Sequence, residues 1–257
     1  NAFPLTDGQQ ELWVASHLGG DASAAFNESV TIQLRGGLDE GALKQALDDL
    51  IARHESLRLT FRADGREQRT NDKASAQYSF EDLRKATIEG MQRIIERETA
   101  TPFELERGPL VRAVLVRLDE KHYALVLTIH HIVCDGWSFS VLARDLAELY
   151  SARREPNHAA LPPAPAFREY ADRAARQRRT AEHVATEAYW LRRFETIPPP
   201  LELPTDRPRP GIRTYRADRV ATLLPWDLLD KAKALSAKQR STLFTTLLTA
   251  FHVLLHR

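Results

Sequence analysis

The sequence predicts an α/β (α+β) protein: an open mixed sheet with flanking helices, followed beyond Tyr150 by a stretch of different composition. Three observations predict it. Short runs rich in β-branched and aromatic residues alternate with longer segments whose apolar residues recur every three or four positions, without internal repeat. Hydrophobic residues make up 43% of the 257, enough for a core in one large or two small domains. Proline-rich connectors at 161–165 and 197–210 change the composition beyond Tyr150.

In chain order, residues 30–34 read as a strand and 38–53 as a helix, with Leu43, Ala46, Leu47, Leu50 and Ile51 on one face. Residues 57–61 return as a strand. A second helix is predicted from about Glu81 to Thr99, with Leu83, Thr87, Met91, Ile94 and Ile95 inward, ending before Pro102. Strands follow at 110–118 and 123–129, flanking a hairpin turn at Asp119, Glu120 and Lys121. The second of them is apolar enough for burial on both faces. From Trp137, the residues Val141, Leu142, Leu146, Leu149 and Tyr150 form one stripe of an amphipathic helix that stops at Pro156. Further on, 167–194 reads as helical and rich in Arg and Ala, 220–224 as a strand, 226–238 as a helix, and 241–257 as a helix with Ser241 as N-cap. That last helix is apolar almost all round, which predicts burial. Arg173, Arg176, Arg178 and Arg179 read as a solvated helix face.

The chemistry concentrates between the strand at 123–129 and the helix that follows. There stand His130, His131, Ile132, Val133, Cys134, Asp135, Gly136, Trp137 and Ser138, a pair of histidines, an acid and a glycine turn. Side chains alternate across a strand, so the two histidines are predicted to face opposite sides, one of them toward a cavity. Gly136 is free to adopt the backbone angles a reversal demands. Adjacent strand residues are poorly placed to chelate one ion, and no second cluster of ligand spacing occurs, so no metal is expected. Cys134, the single cysteine, reads as a small buried residue rather than a nucleophile.

This segment, HHIVCDGWS, resembles the H-H-x-x-x-D-G motif of the condensation domains of nonribosomal peptide synthetases, in the chloramphenicol-acetyltransferase-like superfamily. The first histidine and the Trp137-Ser138 pair narrow the likeness to condensation domains. Further segments agree in order. Residues 5–13, LTDGQQELW, are similar to the opening motif, with Glu11 where an arginine is usual; residues 53–61, RHESLRLTF, are similar to the second, with Leu59 in place of threonine. Residues 167–171, FREYA, resemble a fourth, and Tyr189-Trp190 with 201–210 resemble the passage toward the second lobe.

The resemblance implies a chloramphenicol-acetyltransferase-like first lobe over 1–178, then an inter-lobe connector and the first elements of a second lobe over 179–257. It implies amide bond formation: a downstream aminoacyl amine attacks an upstream acyl or peptidyl thioester. The domain is expected to bind no cofactor of its own, both substrates arriving on the phosphopantetheine of carrier proteins, with an adenylation domain in the same assembly line. The setting implied is nonribosomal peptide or hybrid polyketide-peptide biosynthesis, antibiotics among its products. His131 matches the second histidine of the motif, and a neutral imidazole can take or align the amine's proton. His130, Gly136, Trp137 and Ser138 are assigned to support. Amide groups around Gly136 suit a developing oxyanion. The resemblance also implies that Asp135 turns from the cavity into an ion pair with Arg58, Arg53 being the fallback partner. Residues 5–13 and 25–29 look like domains that follow polyketide modules or take acyl donors. Two other function classes fit the same residues: a free-standing coenzyme A-dependent acyltransferase, and a non-catalytic module that only docks carriers. Because the later family motifs do not occur before Arg257, the stretch by itself is expected to be inactive.

Composition restricts the setting. One cysteine excludes an internal disulfide framework, which fits a reducing compartment. No apolar run has the length of a membrane span and no signal peptide opens the chain, so a cytoplasmic location without a membrane partner is expected. A net charge of +1 gives no electrostatic case for nucleic acid.

Overall fold

The computed structural model describes residues 2–19, 22–84, 88–155 and 161–200, and all of 202–256 except 204, 209, 212, 213, 216, 218 and 219. The chain divides into two compact units, residues 1–193 and 194–257. The elements of the first are β1 (Ala2–Pro4), α1 (Asp7–Ser16), β2 (Asn27–Arg35), α2 (Glu40–Arg53), β3 (Leu59–Phe61), β4 (Glu67–Thr70), β5 (Gln77–Asp82), α3 (Ile88–Ala100), β6 (Val111–Asp119), β7 (His122–His130), α4 (Gly136–Arg154), α5 (Phe167–Gln177) and α6 (Ala181–Arg193). The second holds α7 (Trp226–Lys238) and α8 (Leu243–His256). The open mixed sheet with flanking helices expected from the sequence is what the strand pairing gives.

The main sheet has the order β2-β7-β6-β5, antiparallel except for the parallel β5–β6 pair. Its centre is covered on both sides, and the two-residue period of a strand shows how. Ala113, Leu115, Leu125, Leu127 and Ile129 belong to the large core shared with α2 and α4. Val114, Val116, Ala124 and Val126 belong to a second cluster under Ile94, with Met91 and Ile95 packed on it. The predicted inward face of α2, Leu43 through Ile51, is buried throughout, and α2 packs against α4. Asp39 caps α2 by accepting from the Ala42 N–H at 2.9 Å.

A second, three-stranded antiparallel sheet has the order β1-β4-β3. The sequence predicted neither β1 nor β4. It placed a strand over 57–61, but Leu57 and Arg58 lie in a 3₁₀ turn over Glu55–Arg58, and extended backbone begins at Leu59. The helix predicted from Glu81 also starts later. Glu81 and Asp82 extend β5, opposite Val116 and Arg117 of β6, because the ladder satisfies their backbone groups. The part of that helix at 85–87, with Thr87, lies outside the described residues, as does the stop at Pro156. The helical stretch at 167–194 is broken at 178–180, where Thr180 Oγ1 accepts from the His183 N–H at 3.2 Å and starts α6 anew.

In the second unit, residues 220–224 are not a strand. An isolated strand leaves its backbone unpaired, and among the described residues none pairs with it. The N-cap of α8 is Thr242 rather than Ser241: Thr242 Oγ1 accepts from the Thr245 N–H at 3.1 Å, while Ser241 Oγ reaches back to the Ser236 carbonyl. Ser236 Oγ and Thr246 Oγ1, 2.7 Å apart, tie α7 to α8. The burial predicted for α8 is not met within this unit, where Phe244 is 73% and Leu254 67% exposed.

Candidate active site

The motif fills the turn from β7 into α4. Asn27 of β2 stands opposite His130, and the ladder runs one bond further, with the His131 N–H donating to Phe26 O at 2.8 Å. His131 thus opposes Phe26. Glu28, two residues along β2 and on the same face as Phe26, becomes its diagonal neighbour. His131 Nδ1 lies 2.9 Å from the Cys134 carbonyl oxygen and 2.9 Å from Glu28 Oε1. Both partners only accept, so Nδ1 bears a proton, and in the neutral ring the lone pair stands on Nε2. The His131 side chain is 35% exposed, an imidazole base at the surface of this unit.

His130 is buried completely. The Ile132 N–H donates to its Nδ1 at 3.1 Å, which puts the ring proton on Nε2, 3.5 Å from Ser16 Oγ. The rings of Phe26 and Phe103 flank it, each centroid 6.2 Å away. Burial, followed by the neighbouring His131, pushes its pKa down to about 4. A neutral, enclosed ring is a packing element. Its pH dependence follows from the sign of that shift: between about 6.5 and 4 the unfolded chain binds a proton that the folded state refuses. Stability is therefore full above pH 6.5 and falls by about 3 kcal/mol as the pH drops through 4. Melting temperatures over that range should show a slope that His130→Gln flattens; equal slopes in both proteins would contradict this.

Asp135 is the N-cap of α4. Its Oδ1 accepts from the Ser138 N–H at 2.8 Å and from Ser138 Oγ, while its own N–H donates back to Ser138 Oγ at 3.3 Å. Those hydrogen bonds from Ser138 hold the Asp135 carboxyl below the usual carboxylate range. Such a cap is worth roughly 1 kcal/mol. The expected ion pair with Arg58 is not formed. Arg58 Nη1 bonds Asp72 Oδ1 at 2.7 Å instead, because the Asn71 N–H donates to the Arg58 carbonyl and holds the turn with Asp72 beside it. The helix start, three residues away, meets the Asp135 carboxylate at no cost of ordering a long side chain. Arg53, the fallback, is engaged elsewhere too: its Nε lies 2.9 Å from Asp145 Oδ2.

Gly136 opens α4 without a left-handed φ, and a Cβ there would meet nothing within 4 Å, so the backbone here does not itself require glycine. Gly136 and Trp137 supply first-turn amides that a helix cannot satisfy internally. Trp137 is 82% exposed. Cys134 is buried, and that burial pushes its thiol up to about 12, which leaves no thiolate for nucleophilic chemistry near neutrality. Among the described residues, no three His, Cys, Asp or Glu side chains are grouped to hold a metal.

The other motif segments bind this loop or the helices beside it. Gln9, from the opening segment, donates through Nε2 to the Ile132 carbonyl at 3.3 Å and exchanges amide hydrogen bonds with buried Gln68. Glu55 Oε2 accepts from the Arg168 N–H at the head of α5 at 2.8 Å. His54 Nε2 and Arg53 both bond Asp145 Oδ2, at 3.0 and 2.9 Å. The sequence reading missed Asp145 and gave Glu28 no role. Asp145 left a signal: it sits on the inward stripe of α4, three residues after Leu142 and one before Leu146, where an acid needs a partner.

A family model described as "Condensation domain" matches residues 1–257. The chain belongs to the condensation-domain family. Chondramide synthase cmdD of Chondromyces crocatus is 39% identical over 100% of this chain, and a linear gramicidin synthase of Brevibacillus parabrevis 39% identical over 99%. The chain spans 7% and 5% of those relatives' lengths. Among solved structures, the SgcC5 protein of Streptomyces globisporus is similar at TM-score 0.76 and 28% identity, over 99% of this chain and 60% of that one. The starter condensation domain of rhizomide synthetase RzmA is similar at TM-score 0.70 and 25% identity, over 78% and 50%. This condensation domain thus shares both the fold and the sequence pattern of peptide synthetase domains. No helix among its described residues is long and apolar enough to cross a membrane.

Proposed function

We propose that this condensation domain forms an amide bond between an upstream acyl or peptidyl thioester and a downstream aminoacyl thioester, each delivered on the phosphopantetheine arm of a carrier protein. The supporting observation is the fixed tautomer of His131, whose Nδ1–H is bound and whose Nε2 lone pair is left available. The acceptor amine attacks the thioester carbonyl carbon, and Nε2 receives the proton that the nitrogen sheds as the tetrahedral species forms. Collapse expels the thiolate, which takes that proton from Nε2, so the histidine ends as it began. The first-turn amides of α4 suit the developing oxyanion. The likeness to named peptide synthetases, including linear gramicidin synthase, supports carrier proteins and an adenylation domain as partners.

The test supplies an intact two-lobed domain carrying this sequence with both carriers loaded and follows the downstream carrier by mass. A mass increase equal to the donor acyl group is expected. Acyl transfer from coenzyme A without carriers would replace this reading with a free-standing acyltransferase, and carrier binding without turnover would replace it with a docking module.

A further inference from the structure

The geometry points to Glu28 as a positioning residue that acts through His131: its carboxylate lies 2.9 Å from Nδ1 and stabilises the imidazolium formed when Nε2 takes the amine proton. This rests on the amide-forming reading above and assigns a role to a residue outside the motif. Three observations converge on it. The Glu28 Oε1 to His131 Nδ1 distance is 2.9 Å. The strand register that sets Asn27 opposite His130 also fixes Glu28 diagonally across from His131, so the contact follows from the ladder rather than from a loose side chain. Glu28 is also close enough to the loop for its charge to act on Cys134.

The other groups near His131 cannot do this work. Asp135, on the same loop, has its Oδ1 committed to Ser138 at the helix cap. His130 is neutral and enclosed. The Cys134 carbonyl shares the Nδ1–H and so fixes the tautomer, but it brings no net charge. The carbonyl orients the ring, and the nearest negative charge comes from Glu28; the Asp135 charge also acts on His131 but makes no ion pair with it. The carboxylate keeps its own state throughout: the amine proton moves to Nε2 and then to the leaving thiolate, while the Nδ1 proton stays where it is. A preorganised charge aimed at a cation that exists only during reaction favours the transition state over the ground state, so its loss falls on kcat rather than KM.

The experiment compares wild type, Glu28→Gln and Glu28→Ala in the intact domain with loaded carriers, together with ¹⁵N signals of His131 and melting temperatures. Glu28→Gln keeps the size of the side chain and removes the charge: kcat should fall about tenfold or more, with KM for the acceptor carrier within about threefold and an unchanged melting temperature. Glu28→Ala should fall at least as far and shift the His131 ring ¹⁵N signals, while the Cys134 carbonyl keeps the proton on Nδ1. Should kcat of both variants stay within about threefold of wild type, or fall only in step with melting temperature, Glu28 is a structural tether and the inference is overturned. If the wild type itself forms no amide, the amide-forming reading fails. The ring signals then decide the placement separately: His131 ring ¹⁵N signals unchanged in both variants remove Glu28 from any role at this histidine.

Discussion

Replacing His131 with alanine in the intact condensation domain is expected to lower amide formation by about 10²–10⁴-fold, the contribution of a positioned proton-transfer group. Stability should change little. The ring is 35% exposed, and its partners, the Cys134 carbonyl and the Glu28 carboxylate, can turn to water when it is gone. A lost hydrogen bond of this kind costs about 1 kcal/mol, or roughly 2–4 °C in a domain of this size. His130→Ala makes the opposite comparison, because it empties a fully buried site and strands the Ile132 N–H that donates to Nδ1. Turnover on loaded carriers, measured beside melting temperature, separates the two histidines. A His131→Ala rate within about threefold of wild type would remove the residue from the chemistry, since that is under about 1 kcal/mol of barrier.

How far the sequence discloses this depends on the range of the interaction. The centre of the main sheet was legible because both faces of β6 and β7 are apolar, and the stripe of α2 because Leu43 to Ile51 keep helical period over several turns. Asp135 and Ser138 lie three residues apart and their cap is a local event, yet the family likeness drew Asp135 toward Arg58 and hid it. Segments decided by distant partners were not legible. The polar run of β4, Glu67 to Thr70, is a strand only because β1 and β3 arrive on either side of it. Glu81 and Asp82 fit a helix pattern until β6 offers them a ladder. Glu28 is one of several polar residues in a nine-residue strand, and nothing in the one-dimensional pattern announces that strand register carries it to His131.

The second large effect is expected at Asp145. Its carboxylate is 2% exposed and receives Arg53 Nε at 2.9 Å, His54 Nε2 at 3.0 Å and Arg144 Nη2 at 3.0 Å. Burial by itself would raise the Asp145 carboxyl, but the hydrogen bonds from Arg53 and Arg144 and the nearness of His54 outweigh it and hold it below the usual range. His54 is pushed down by burial against the upward pull of Asp145, so the acid is the charge on which both neighbours depend. Asp145→Ala leaves the Arg53 guanidinium, 17% exposed, without its counter-charge. Breaking a buried pair from one side costs about 3–5 kcal/mol, and partial exposure of the arginine places this case near the lower figure. A loss of about 3 kcal/mol corresponds to roughly 6–12 °C in melting temperature. Arg144→Ala serves as the control, because that guanidinium is 66% exposed and its pair is worth under about 1 kcal/mol. The depressed carboxyl gives the pH dependence its sign: the stabilisation is present above the unfolded carboxylate pKa near 4 and disappears as pH falls through the lower folded value. Activity should fall with stability, since Asp145 joins α4, which carries the motif loop at its head, to the end of α2 and the residue after it. A melting temperature for Asp145→Ala within about 2 °C of wild type, less than about 1 kcal/mol, would show that the pair holds nothing together.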